Sequence, residues 1–110
     1  MNPTLALEEL ARLLVRVAVE DREEIISRIH DAAGALDYID DRDRGAIVFE
    51  QIADSTDDTE LRLLCYKHAL FRANWCAQAA TSGGEGLSRS QHAKQIESKI
   101  NKISRTGAST

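Results

Sequence analysis

Proline, cysteine and aromatic residues are all scarce in this chain of 110 residues, and each scarcity narrows the class of protein. One proline and six glycines exclude a collagen-like protein or a proline-rich linker. The two cysteines, Cys65 and Cys76, are eleven residues apart. On one helix that spacing is about 16 Å of rise, which is beyond disulfide reach. We therefore expect buried free thiols and a reducing, cytoplasmic location.

Long apolar runs without charge are also missing. The apolar start, residues 1–19, carries Glu8, Glu9, Arg12 and Arg16, so it lacks the uninterrupted apolar stretch of a secretory signal. No segment reaches the roughly 18 uncharged apolar residues that a membrane span needs. Hydrophobic residues make up 43% and charged residues 29% of the chain, as in an ordinary globular domain. We expect no membrane association.

Apolar residues recur at three- and four-residue spacing, which predicts an all-α fold. The helices are expected over residues 4–39, as one helix or two, and over 45–53, 61–80 and 88–104. Residues 81–86 contain three glycines and predict a loop. The sequence thus predicts a single domain, residues 1–104, with four or five helices around a central helix at 61–80, and a disordered tail, residues 105–110.

The segment 61–80 is apolar on nearly every side, and only Arg62, Lys67, His68 and Arg72 within it could carry charge. Such a helix is either central in the fold or half-buried in an oligomer interface. Trp75 could be an interface anchor, but a core residue is the default interpretation, and the same holds for Tyr66 and Phe71.

The last predicted helix has one narrow apolar stripe in a heptad pattern, and basic residues on its other faces. This stripe could dock on the core of the chain or on a second copy. We predict a homo-oligomer, most simply a dimer, with an interface formed by Trp75, Ile96, Ile100 and Ile103.

Charge is distributed unevenly along the chain. Residues 1–60 hold sixteen acids and six bases, whereas residues 61–110 hold two acids and eight bases. This asymmetry predicts either two surfaces of opposite potential or two halves that attract each other. The acids form two runs, which either begin helices or form an acidic face for a basic partner protein: Asp37, Asp40, Asp41 and Asp43, then Asp54, Asp57, Asp58 and Glu60.

No arrangement of residues indicates catalysis or a cofactor. Cys65 and His68 share a helix face and could ligate a metal, but a structural site needs two more ligands. His30 and His92 exist, yet no sequence pattern places them near Cys65. The glycines at 83–86 follow a helix and lack the lysine of a phosphate-binding loop. We expect neither an enzyme nor a metal site, and direct nucleic-acid binding is disfavoured because the bases are few.

The stretch Leu61–Asn74, with its Ala73-Asn74 pair, resembles one helix of the small phage sponges that sequester cyclic oligonucleotide signals. The resemblance covers about twenty residues of the 110. Arg72 stands where that family has an aromatic residue, and the family's aromatic N-terminal segment is absent. What the resemblance implies is an oligomer that holds ligands between subunits. No binding residue is carried over from the family, although Arg62, Lys67 or Arg72 would suit phosphates at subunit boundaries.

Three functions remain open on these observations. The first is a non-catalytic, phage-type or mobile-element-type inhibitor or adaptor, which engages a basic surface of a larger protein through its acidic face. The second is an oligomeric sponge for a small phosphate-bearing ligand such as a cyclic oligonucleotide. The third is a structural helical protein that only self-associates.

Overall fold

A computed structural model describes residues 2–39, 42–79 and 83–108, and within these residues the chain forms five α-helices and no strand. This confirms the predicted all-α fold. The helices are α1 (Pro3–Leu14), α2 (Arg22–Ala33), α3 (Arg44–Ser55), α4 (Thr59–Gln78) and α5 (Gly83–Ala108). None of them, over the parts of the chain that are described, is long and apolar enough to cross a membrane.

The N-terminal segment forms two helices rather than one. The Asn2 side chain caps α1 by accepting a hydrogen bond from the Thr4 amide at 2.8 Å, and proline occupies the first helical position. After Leu14 the chain turns, and a single 3-10 turn, Val19–Asp21, leads into α2. Three valines that alternate with other residues, at positions 15, 17 and 19, lie at this break between α1 and α2.

Aspartates begin the next two helices. The Asp43 carboxylate accepts from the Ala46 amide at 2.8 Å and caps α3. Asp58 caps α4 by accepting from the amides of Glu60 at 3.0 Å and Leu61 at 3.3 Å. The helix-start interpretation of the two acidic runs is confirmed at these two residues, because a carboxylate stabilises the free amides of a helix N-terminus.

Helix α4 is the central element of a flat molecule with extents of 41 × 40 × 18 Å. It packs along α3 on one side and along α5 on the other, while α1 packs mainly on α2. The core includes Leu14, Ile29, Phe49, Leu61 and Ile96, all almost completely buried. Neither Cys65 nor Cys76 forms a disulfide, and both are buried, as predicted.

The C-terminal helix is longer than its sequence predicts. Helix α5 begins at Gly83 and continues to Ala108, so the predicted loop is wrong where the backbone is described, and the helical backbone extends past residue 104. Disorder of the tail, residues 105–110, stays a prediction. Residues 80–82 and 109–110 lie outside the described residues.

The apolar stripe of α5 packs on the chain's own core. Ile96 is completely buried there, and Ile100 and Ile103 are partly buried against the same cluster. The predicted oligomer interface is therefore corrected at Ile96, whose side chain has no exposed surface for a second copy. Of the two interpretations of the stripe, docking on the core is the one the packing supports.

The basic half of the chain pairs with the acidic half. Lys99 of α5 donates to Glu50 at 2.8 Å and to Asp54 at 3.1 Å, both on α3. Glu50 also pairs with His92 at 2.9 Å. The hydrogen bond from His92, together with the Lys99 ammonium, lowers the pKa of Glu50 to about 2. These contacts therefore support the interpretation that the acidic and basic halves of the chain attract each other.

A glycine allows α3 to approach α4 closely. A Cβ atom built on Gly45 would lie 2.3 Å from Nε of Arg72 and 2.9 Å from Cβ of Ala33. At Gly34 the same atom would meet only backbone oxygens at 3.5 Å, which is ordinary contact. Gly45 is thus required by the space that Arg72 occupies.

Gly45→Ala should destabilise the fold by about 1–3 kcal/mol, because the methyl group overpacks the contact with Arg72. The sign of this change in stability is informative, because alanine is otherwise favoured over glycine within a helix by about 1 kcal/mol. Gly34→Ala is the matched control and should be neutral or slightly stabilising. Urea denaturation monitored by circular dichroism measures both. A Gly45→Ala variant as stable as the control would contradict the close approach.

Candidate functional site

A groove lies between α2 and α4. Three adjoining clefts form it: the middle cleft shares Phe71 with the cleft at one end, and His30 and His68 with the cleft at the other end. Along α4 it extends from Leu64 to Trp75, which is about 16 Å of helix. We refer to it as the α2–α4 groove.

One end of the α2–α4 groove is an aromatic cleft with a volume of about 320 Å³. Phe71 and Trp75 form one wall, one helical turn apart, and are 67% and 55% exposed. Tyr38 and Leu36, which follow α2, form the opposite wall. The interpretation of Phe71 and Trp75 as core residues is therefore wrong, whereas Tyr66 is buried as expected. Adjacent large apolar side chains left in water are typical of an interaction site.

Below the aromatic cleft lies a buried ion pair between Arg72 of α4 and Asp43 of α3. The guanidinium donates to the carboxylate from Nε at 2.6 Å and from Nη2 at 3.1 Å. Asp43 is 3% exposed. Asp43 therefore does not belong to an exposed acidic face, and the Arg72 guanidinium is already bound to an anion.

The same guanidinium reaches α2. Nη1 of Arg72 contacts Nδ1 of His30 at 3.1 Å and donates to its backbone oxygen at 3.4 Å. Because a guanidinium only donates hydrogen bonds, Nδ1 of His30 must accept, and the proton of the neutral ring is on Nε2. That Nε2–H donates to Nδ1 of His68 at 3.0 Å. The network thus assigns the tautomer of both histidines.

Both histidines of this network are neutral near pH 7. Burial, and secondly the positive charge of Arg72, lowers the pKa of His30 to about 4. Burial also lowers the pKa of His68. Their rings pack around Phe49, which is fully buried beneath them. The pair forms an uncharged middle section of the groove.

Cys65 and His68, which share a helix face but were not expected to form a metal site, have separate surroundings. The structure directs His68 to His30, and burial raises the pKa of the Cys65 thiol to about 12. Among the described residues no group of three or more histidine, cysteine or acidic side chains could hold a metal ion.

The predicted acidic residues that the structure describes differ in their surroundings. Asp54 accepts from Lys99 and from the Tyr66 hydroxyl, and Asp58 pairs with Arg22 at 2.7 Å in addition to capping α4. Both are nevertheless exposed, as are Asp37, Asp57 and Glu60. Asp40 and Asp41 lie outside the described residues.

Sequence reasoning missed the α2–α4 groove. Its residues come from positions far apart in the chain: His30 is 38 residues from His68, and Asp43 is 29 residues from Arg72. One signal was present, because His68 and Arg72 are four residues apart and so share one face of α4. This spacing indicates a polar face on α4, but it does not show which residues of other helices contact that face.

Comparisons of this chain with protein-family models, curated proteins and solved structures find no match. The α2–α4 groove is therefore the feature of the molecule that indicates a function.

The histidine pair predicts how stability depends on pH. The folded-state pKa of His30, about 4, is below its ordinary value of 6.5. Between these two pH values the folded state therefore binds fewer protons than the unfolded state. This stabilisation is present above pH 6.5 and is lost as the pH falls towards 4. His30→Gln should reduce the loss of stability between pH 7 and pH 5, as measured by urea denaturation.

Glu50 does not confound this measurement, because its pKa shift from 4.5 to about 2 acts at lower pH. Ser27→Ala, which changes a side chain of the same groove that carries no ionisable group, is the matched control. An equal loss of stability between pH 7 and pH 5 in the wild type and in His30→Gln would show that the pair is not held neutral.

Proposed function

We propose that this protein is a non-catalytic binding module, an adaptor or inhibitor that engages a larger protein through the α2–α4 groove. The observation that supports the proposal is the exposure of Phe71 and Trp75 beside a cleft large enough to accept a side chain. Aromatic side chains of this kind contribute most of the binding energy in many protein interfaces.

The dimensions of the groove favour a helical segment as the bound element. Its 16 Å along α4 correspond to about three turns of a partner helix. An amphipathic helix binds such a groove through apolar residues spaced three and four apart. Those apolar residues would pack between the two walls of the aromatic cleft, one containing Leu36 and the other containing Trp75.

The rim of the groove favours a basic partner. Glu23 and Asp31 line its other end, and Asp37 lies between two residues of the aromatic cleft. All three carboxylates belong to exposed residues. Basic residues flanking the partner's apolar stripe would pair with them, and this attraction would weaken with salt because exposed charges are screened over about 8–10 Å. The proposed partner is thus still basic, as the sequence suggests, but it contacts the groove rather than a separate acidic face.

The contacts of the arginines argue against a sponge for phosphates. Arg72 is bound by Asp43, and Nε of Arg62 donates to the backbone oxygen of Ala53 at 3.1 Å. Binding a phosphate at Arg72 would require displacing a buried carboxylate.

Trp75 is the only tryptophan in the chain, so its fluorescence reports directly on the aromatic cleft. The probe is a synthetic amphipathic peptide of about 14 residues, leucine on one face and lysine on the other, which spans about 21 Å as a helix. We expect a saturable blue shift of Trp75 emission. Phe71→Ala should weaken binding at least tenfold, about 1.4 kcal/mol, because it removes half of the exposed aromatic wall.

Two controls distinguish binding in the groove from nonspecific binding of the peptide. Leu5→Ala removes an equally exposed apolar side chain from α1 and should leave the affinity unchanged. A peptide with glutamate in place of lysine should bind more weakly at low salt. Equal binding by Phe71→Ala and the wild type would contradict the proposal, and a shift produced by a cyclic dinucleotide but not by the peptide would favour the sponge.

A further inference from the structure

The aromatic cleft places a projecting side chain beside a cavity on a single surface. Trp75 projects from α4, and the cavity next to it is lined by Ala33, Gly34 and Leu36 as well as by Trp75 itself. A surface that carries both shapes side by side can be complementary to a copy of itself. Two-fold dimers use the same patch on both subunits in this way.

The charges of the groove fit such a pairing. The Arg72 guanidinium, which lines the cleft, is paired with Asp43, so this group brings no uncompensated charge to the contact between two copies. Lys67 lines the groove one turn before Phe71 and is exposed. Asp37 is exposed on the loop that borders the Trp75 end. The two charges thus flank the aromatic pair with opposite signs.

We propose that a second copy of this chain occupies the α2–α4 groove when no other partner is bound. The two α4 helices lie antiparallel across a two-fold axis between Phe71 and Trp75, and each Trp75 enters the aromatic cleft of the other copy. This inference rests on the proposed function, because it assigns a resting occupant to the same binding surface.

The register follows from helix geometry. An axis midway between Phe71 and Trp75 places residue 67 of one α4 opposite residue 79 of the other. Because the 36–38 loop borders the end of α4 near Trp75, Lys67 of one copy faces Asp37 of the other. The arrangement has two such pairs, one at each end of the interface.

Sedimentation equilibrium over about 1 to 200 µM protein tests the pairing, since self-association depends on concentration. We expect the mass to rise from that of the 12.2 kDa chain towards twice that value. Phe71→Glu should weaken the dimer at least tenfold. Leu13→Glu, which places the same charge on an exposed leucine of α1, should leave it unchanged.

A charge exchange tests the register without removing an apolar side chain. Lys67→Asp and Asp37→Lys should each weaken the dimer several-fold, and the double variant should restore most of the loss. A wild-type chain that is monomeric throughout, or a dimer that Leu13→Glu dissociates and Phe71→Glu does not, would overturn the proposal. Failure of the double variant to restore association would overturn the register.

The peptide probe distinguishes this proposal from the proposed function. We expect the basic amphipathic peptide to dissociate the dimer as it binds, because both use the same groove. A monomer that binds the peptide would overturn the second-copy proposal and leave the function standing. A dimer that the peptide neither binds nor dissociates would overturn the proposed function instead.

Discussion

The ion pair between Asp43 and Arg72 connects α3 to the two helices, α2 and α4, that form the groove. Asp43 begins α3, Arg72 lies in the middle of α4, and the guanidinium continues to His30 on α2. Burial of charges is costly unless they are paired and hydrogen-bonded, and here both oxygens of the carboxylate accept from the guanidinium. Gly45 leaves the space in which this contact forms. One side chain, Arg72, thus fixes how α2, α3 and α4 meet.

Part of the uneven distribution of charge is explained by contacts within the chain. Asp43 with Arg72, and Glu50 and Asp54 with Lys99, join the acidic first half to the basic second half. At the groove, what remains for a partner is mainly apolar, with carboxylates at its edge. This is why the proposed binding surface is a groove rather than the acidic face that the composition alone favours.

Several parts of the fold follow from local sequence rules, and others depend on contacts that no local rule contains. The capping aspartates and the buried cysteines could be predicted because helix capping and apolar side chains act locally. The exposure of Trp75 could not, because a helix that is apolar on every side does not indicate which side faces water. The stripe at Ile96 has the same spacing whether it meets its own core or a second copy. The His30–His68 contact joins residues 38 positions apart, beyond any pattern within one helix.

A double-mutant cycle between Asp43 and Arg72 measures whether this ion pair couples α3 to α4. Asp43→Asn retains a capping side chain and removes the charge, while Arg72→Met retains an unbranched stem. Each single variant should lose about 3–5 kcal/mol of unfolding free energy, because it leaves one buried charge without its partner. The double variant should then recover about 2 kcal/mol or more relative to the sum of the two losses. Losses that add within about 0.5 kcal/mol would mean that the two residues act independently, and would contradict this account.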